Sequence, residues 1–257
     1  MRGFCVNYGM TECEIFFIFI GNINYKNIMI TKNIEINYNK YPLPDRKRHH
    51  TNPSYYIPIK ELKFVPTGYP QVIKNINWKE YFANHKPPKQ LDIGCGRGLF
   101  LLTLAENDKD SNILGIEVRQ WCCDWLDNYI VNESIENCGI LRYCVANGLD
   151  FISSDSINEI FYLFPDPWVK IRHRKRRAFN LDFLEEIYRV LVTDGKLYLA
   201  TDIYEVHAYH LKTLKQFNRF CVKEVDNSAN EWTLPPTNKE LFCIKENIKY
   251  YKIIAKK

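Results

Sequence analysis

The sequence predicts an α/β fold in which a mostly parallel sheet carries helices on both faces. Three observations support this. Short apolar runs of strand length recur at Leu91–Ile93, Ile113–Val118 and Ile160–Phe164. Helically spaced stretches lie between and after them, and Leu181–Leu191 sets Phe183, Leu184, Ile187, Val190 and Leu191 on one stripe. Strands alternating with helices build βαβ units, whose crossovers cover both faces of a parallel sheet. At 257 residues, 46% hydrophobic and 25% charged, the chain can form one substantial core with an appendage.

Residues 1–40 are rich in Asn, Ile, Tyr and Lys without a clear period and read as a poorly ordered extension. The alternative for this segment is an organelle-targeting, plastid-like leader, against a cytoplasmic or nuclear location. Glu12 and Glu14, ahead of the short run Ile15–Ile20, argue against a secretory signal. No run approaches the ~20 apolar residues of a membrane helix. Residues 41–88 are proline-rich and irregular, and read as an arm packing on the core. Residues 89–257 form the main domain. Its first strand, Leu91–Ile93, enters the turn Gly94-Cys95-Gly96-Arg97-Gly98, and a helix opens over Leu99–Ala105. Ile113–Val118 is the second strand, and a helix is expected over Gln120–Glu136. Leu141–Val145 is the third strand and Ile160–Phe164 the fourth. After the helix Leu181–Leu191, Asp194-Gly195 turns into the strand Lys196–Ala200, and a helix follows over Val206–Phe217. The last two strands are expected at Cys221–Val225 and Phe242–Ile254.

Nine cysteines, an odd number with no C-x-x-C pair, favour reduced and mostly buried thiols over a disulfide framework or a zinc site; no metal is expected. Net charge is a mild +5, but six of the eight residues Lys170–Arg177 are Lys or Arg. Such a block marks an interaction surface, or more plainly a solvated face or a localisation signal.

Three glycines between a strand and a helix form a nucleotide-loop pattern, because glycine lets backbone approach a ligand and the helix start offers free N–H groups. Glu117, 23 residues beyond Gly94 at the end of the next strand, is placed to accept from ribose hydroxyls. Only Arg97 separates Gly96 from Gly98, which departs from the dinucleotide fingerprint and leaves a nucleoside cofactor without pyrophosphate, S-adenosylmethionine above all. Asp92 either meets the amino-acid end of that cofactor or braces the loop. Asn147 either bonds the adenine or forms a turn. Asp166 stands between Pro165 and Pro167, which hold it extended at the end of the fourth strand. Ligands of open α/β sheets bind beyond the carboxyl ends of the strands, so Gly94, Glu117, Asn147 and Asp166 are expected on one rim. Thr201-Asp202 ends the fifth strand on the same rim, as helix cap, substrate contact or both. Arg174, Lys175 and Arg176 in the basic run are expected to grip phosphates, with Trp168 stacking or packing beside them.

Leu91-Asp92-Ile93-Gly94-Cys95-Gly96 resembles the first motif of class I S-adenosylmethionine-dependent methyltransferases. Phe164-Pro165-Asp166-Pro167-Trp168, followed by Lys170, Arg172, His173, Lys175, Arg176 and Arg177, is similar to the signature of tRNA (guanine-N7)-methyltransferases, which methylate a guanosine in the tRNA variable loop. Arg48-x-His50-x-Asn52-Pro53, Thr201-Asp202 and Pro236-Thr237-x-x-Glu240 resemble further motifs of that family. The resemblance implies a Rossmann-like sheet of seven strands, the last antiparallel. It implies a cofactor-binding set of Asp92, Gly94, Gly96, Glu117, Arg119, Asn147, Gly148 and Leu163. It implies tRNA or guanine contacts at Lys170, Asp202, Thr237 and Glu240, with Asp166 nearest the chemistry. Asn238-Lys239 departs from the family pattern inside the Thr-x-x-Glu motif. The partner implied is tRNA, joined by a β-propeller subunit if the chain is of the eukaryotic type.

Two other readings stand beside this one. A methyltransferase acting on another nucleobase or an amine would more often carry Asn/Asp-Pro-Pro-aromatic after the fourth strand, whereas the order here is Pro-Asp-Pro-Trp. A non-catalytic tRNA-binding protein with the same fold would have no need of Gly94, Gly96, Glu117 and Asp166 together.

Overall fold

A computed structural model describes residues 33–44, 51–226 and 231–257. Seven strands, β1 (Gln90–Ile93), β2 (Ile113–Glu117), β3 (Cys138–Arg142), β4 (Ile157–Leu163), β5 (Leu191–Thr201), β6 (Cys221–Val225) and β7 (Tyr251–Lys256), form one sheet in the order β3-β2-β1-β4-β5-β7-β6. β7 runs antiparallel to both β5 and β6, and the other pairings are parallel. The expected seven-stranded, mostly parallel architecture is what the chain forms.

Alternation along the strands divides the core. Leu91, Ile93, Ile160, Tyr162, Leu197 and Leu199 face α3 (Leu181–Val190) and α4 (Tyr204–Phe217). Ile113, Ile140, Phe161 and Tyr198 pack with α1 (Leu99–Asn107) and α2 (Gln120–Asn132). Adjacent residues such as Ile160 and Phe161 thus point to opposite layers, as a pleated strand covered on both faces requires.

Several boundaries differ from the sequence expectation. α2 stops at Asn132, not Glu136, because Ser134 turns left-handed (φ 52°) and the Ile135 N–H closes back on Ile130 O at 3.0 Å. β3 starts at Cys138 in register with Ile113, and Val145 belongs to a 3-10 turn, Val145–Asn147, beyond the strand. Asp194-Gly195 does not precede the fifth strand but lies inside it: Leu191 already pairs with Ile157, and the register then shifts to Lys196 on Glu159. Phe242 is helical, in α5 (Asn238–Lys245), because Thr237 caps that helix by accepting the Glu240 N–H at 3.0 Å.

The segment expected as an arm begins earlier than Tyr41. Ile36 and Tyr41 are both buried, and the Tyr41 carbonyl accepts from Trp125 Nε1 at 3.3 Å. Most of the expected extension, Arg48 and His50 of the upstream motif, Cys5 and Cys13 lie outside the described residues. The seven described cysteines are free thiols, and five of them are buried. Among the described residues, no helix is long and apolar enough to cross a membrane, and no group of three or more acidic, His or Cys side chains is placed to hold a metal ion.

Candidate active site

The glycine turn after β1 is left-handed three times, at Gly94 (φ 81°), Gly96 (φ 60°) and Gly98 (φ 75°). A Cβ on Gly98 would run into Leu126 of α2, so α1 approaches α2 this closely only without a side chain there. Nothing lies within 4 Å of where a Gly94 Cβ would stand, and its φ alone demands glycine. Gly94 lines the cleft instead.

Glu117 closes this turn onto β2. Its Oε2 accepts from Gly96 N at 3.1 Å and Arg119 Nη2 at 2.8 Å. Its Oε1 accepts from Val118 N at 2.8 Å, Arg119 N at 2.9 Å and Arg119 Nε at 3.1 Å. The carboxylate is therefore already engaged. Of its donors, only the Arg119 guanidinium is carried on a movable side chain. Asp92 lies in an adjoining recess and is 4% exposed. Burial, and secondly the charge of Glu117, push its pKa up to about 8. Among the described residues no cation pairs with it.

Asp166 reaches the same cleft from the end of β4. Phe164 (φ 50°) and Trp168 (φ 38°) flank the Pro-Asp-Pro segment in left-handed conformations. Each costs on the order of 1–3 kcal/mol for a bulky residue, so the surroundings must hold them. The Phe164 N–H donates to Ala200 O at 2.7 Å, and Arg177 donates from Nε to Pro167 O at 3.0 Å. Arg177, the last residue of the basic run, thus pins the acidic loop. The cleft holds a cavity volume of about 140 Å³. Leu163 lines both the cleft and the adjoining recess.

The basic run forms a 3-10 turn, Ile171–Arg176, that begins after Lys170. Lys170, Arg172, Arg174 and Lys175 are exposed, and none forms an ion pair with a described residue. Arg176 departs from the expected outward grip. It lines the cleft, its guanidinium lies 4.8 Å from the Trp168 ring centre, and its buried Nε has no partner.

Other expected site residues lie elsewhere. Asn147 and Gly148 line a separate recess beside Lys175. The Asn147 side chain is taken by the arm, accepting from Ile59 N at 2.7 Å and donating to the Tyr69 hydroxyl at 3.0 Å. Asp202 pairs with Lys239 at 2.7 Å. Thr237 reaches the Asp92 recess while capping α5. Glu240 is buried and bound to the equally buried Lys252 at 2.7 Å, which removes it from any surface a substrate could touch in this structure. Its carboxylate serves the fold because β7 supplies a cation directly beneath α5.

Sequence reasoning missed Tyr56. This arm residue lines the cleft together with Asp166. Burial, then the charges of Asp166 and Glu117, raise its pKa far above the ordinary tyrosine range. Its position just after Asn52-Pro53 was the one available signal.

Residues 86–253 match a family model described as a putative methyltransferase. A tRNA (guanine-N(7)-)-methyltransferase of Alkaliphilus metalliredigens is 33% identical over 204 residues, which is 77% of this chain and 94% of that enzyme. This chain belongs to the tRNA (guanine-N(7)-)-methyltransferase family. A second member, from Bacillus cytotoxicus, is 31% identical over 77% of this chain and 91% of its own length. A solved SAM dependent methyltransferase from Aquifex aeolicus aligns with a TM-score of 0.47 at 16% identity, covering 66% of this chain and 81% of that one. Within the family chain described here, the glycine turn, Glu117 and Asp166 meet in one cleft, whereas Asn147 and Glu240 do not join them.

Proposed function

We propose that this chain transfers a methyl group from S-adenosylmethionine to guanine N7 in tRNA. The observation that carries this reading is an acid, Asp166, held between two prolines on the wall of a glycine-turn cleft beside exposed cations that pair with no described residue. The donor set fits the cofactor. Asp92 is a buried acid lacking a cation, suited to an ammonium group, and Glu117 becomes free for ribose hydroxyls once Arg119 gives way. The glycine turn has open space at Gly94, and Gly96 and Leu163 complete the holding set. Bound S-adenosylmethionine supplies an electrophilic sulfonium methyl.

Guanine N7 carries a lone pair and no proton, so no residue need act as a base to create the nucleophile. The chain's task is orientation, which lowers a barrier by roughly 7–11 kcal/mol at best. Asp166 accepts from the N1–H and N2–H₂ edge of guanine, which selects that base and aims N7. Its charge also offsets the positive charge that grows on the purine. Lys170, Arg174 and Lys175 hold tRNA phosphates, and Thr237 and Asp202 border the entry. Relatives that match over most of their length come from bacteria, the branch whose resembled members work without a propeller subunit. The proposal accordingly has this chain acting alone. Incubating the purified chain with unmodified bulk tRNA and S-adenosylmethionine should yield 7-methylguanosine at one mapped position. Cofactor binding by calorimetry without any methylated base would replace this reading with that of a non-catalytic tRNA binder.

A further inference from the structure

We infer that Tyr209, on α4, is a positioning residue for the Asp166 loop and acts through Arg177; the inference rests on the function proposed above. Arg177 closes the base of the basic run. Its Nε donates to Pro167 O at 3.0 Å and its Nη2 to Trp168 O at 3.4 Å, so the end of the run is tied back to the two residues that follow Asp166. Trp168 is left-handed (φ 38°), a conformation that a bulky residue keeps only where its surroundings hold it. Within the closed loop, the 3-10 turn Ile171–Arg176 bonds locally, from His173 N–H to Lys170 O at 2.8 Å and from Arg177 N–H to Arg174 O at 3.0 Å.

A guanidinium that serves two carbonyls must itself be held, because rotamer freedom otherwise carries a long side chain away from them. Tyr209 holds it twice over. Its ring centre lies 4.9 Å from the Arg177 guanidinium carbon, a cation–π distance. Its hydroxyl donates to Phe179 O at 2.8 Å, which fixes the chain just past Arg177. The Phe179 ring is buried against Tyr162 of β4 and His210 of α4, with ring centres 6.1 and 4.2 Å away. β4 leads into Asp166, so strand, loop and α4 meet at one anchor. A polyanion that loads Lys170, Arg174 and Lys175 therefore pulls on a loop closed at its base, and Asp166 keeps its aim. Without the Tyr209 ring, Arg177 leaves its carbonyls and the aim of the acid loosens, while the outer cations stay exposed. The loss falls on orientation, hence on kcat, and not on capture of tRNA.

Tyr209→Leu removes ring and hydroxyl, whereas Tyr209→Phe keeps the ring beneath Arg177. On an unmodified tRNA transcript, Tyr209→Leu should lose about ten- to a hundredfold in kcat. KM for tRNA, the salt slope of binding and cofactor affinity by calorimetry should each stay within about twofold of wild type. Tyr209→Phe should recover most of the lost kcat. Arg177→Lys keeps the charge but loses the planar fork, and should reproduce the kcat loss with Tyr209 in place. A change confined to KM, or a Phe variant as slow as the Leu variant, would overturn the route through Arg177, as would wild-type kcat in Arg177→Lys. Unfolding of Tyr209→Leu, Arg177→Ala and the double variant gives a readout that needs no activity. The ring–guanidinium contact requires the double variant to lose less stability than the sum of the singles, and additive losses would remove it. A wild-type chain inactive on tRNA would overturn the proposed function and the positioning role with it, while the unfolding cycle would still decide the contact.

Discussion

Asp166 and Asp92 are acids on neighbouring parts of one rim, and their surroundings separate their tasks. Asp166 is presented by two prolines and two left-handed aromatics on the wall of the open cleft. Replacing it with Asn keeps the shape but removes the charge and one strong acceptor. Methylation should fall by at least roughly a hundredfold, as when a key charge-stabilising group is lost, with cofactor affinity by calorimetry nearly unchanged. Full activity in Asp166→Asn would end its assignment. Asp92 has an ordinary value of 3.8 and is pushed up to about 8 by burial and then by Glu117. Between those values the folded chain keeps a proton that the unfolded chain has released, so this acid lowers stability as pH rises from about 4 to 8. Asp92→Asn should unfold at the same temperature as wild type near pH 4 and at a higher one near pH 8. A gap that does not grow with pH would contradict the buried, unpaired acid. Cofactor affinity should weaken by roughly tenfold in the same variant, since a charge-assisted bond is lost.

At the scale of elements, α5 and β7 are joined by Glu240 and Lys252, an ion pair with both side chains 6% exposed. The pattern Thr237-x-x-Glu240 is a helix start: the Thr237 hydroxyl accepts the Glu240 N–H, and the acid sits in the first turn where the helix dipole favours it. Glu240→Ala leaves a buried lysine unpaired and should cost about 3–5 kcal/mol in chemical denaturation. Adding Lys252→Met should recover much of that loss. Unchanged stability with weakened tRNA binding would instead make Glu240 a substrate contact. The arm is the second element whose role emerges only in place, because its bonds to Asn147 bridge 88 and 78 positions of sequence.

For the whole molecule, the cleft and the cationic face are two sides of one short segment. Asp166 and Arg176 turn inward, while Lys170, Arg174 and Lys175 turn out. A polyanion drawn to the outer face is thereby brought to the acid. Changing Lys170, Arg174 and Lys175 to Ala should weaken tRNA binding at all sequences and lower the slope of log K against log salt by about two to three units. Filter binding across a salt series measures this, and an unchanged slope would place the tRNA elsewhere. Arg177→Ala should behave differently, losing activity through a loosened acidic loop with the salt slope nearly intact.

The parts legible in the sequence are those whose physics is local. Three glycines between a strand and a helix, an acid between two prolines, and the short apolar runs of β1 and β4 are set by neighbours in the chain, and they reappear as the cleft and the two-layered core. Element ends were less legible because a single left-handed residue at Ser134 or a bulge in β5 depends on what packs above it. Side-chain partners were not legible at all where they are distant in sequence. Whether Glu240 meets solvent or Lys252, whether Asn147 faces a ligand or the arm, and which arm residue lines the cleft follow from how helices and arm settle on the sheet. Composition and motif chose the chemistry on the rim; tertiary packing decided which of those polar groups remain free to perform it, because a buried polar group must find a partner wherever the fold supplies one.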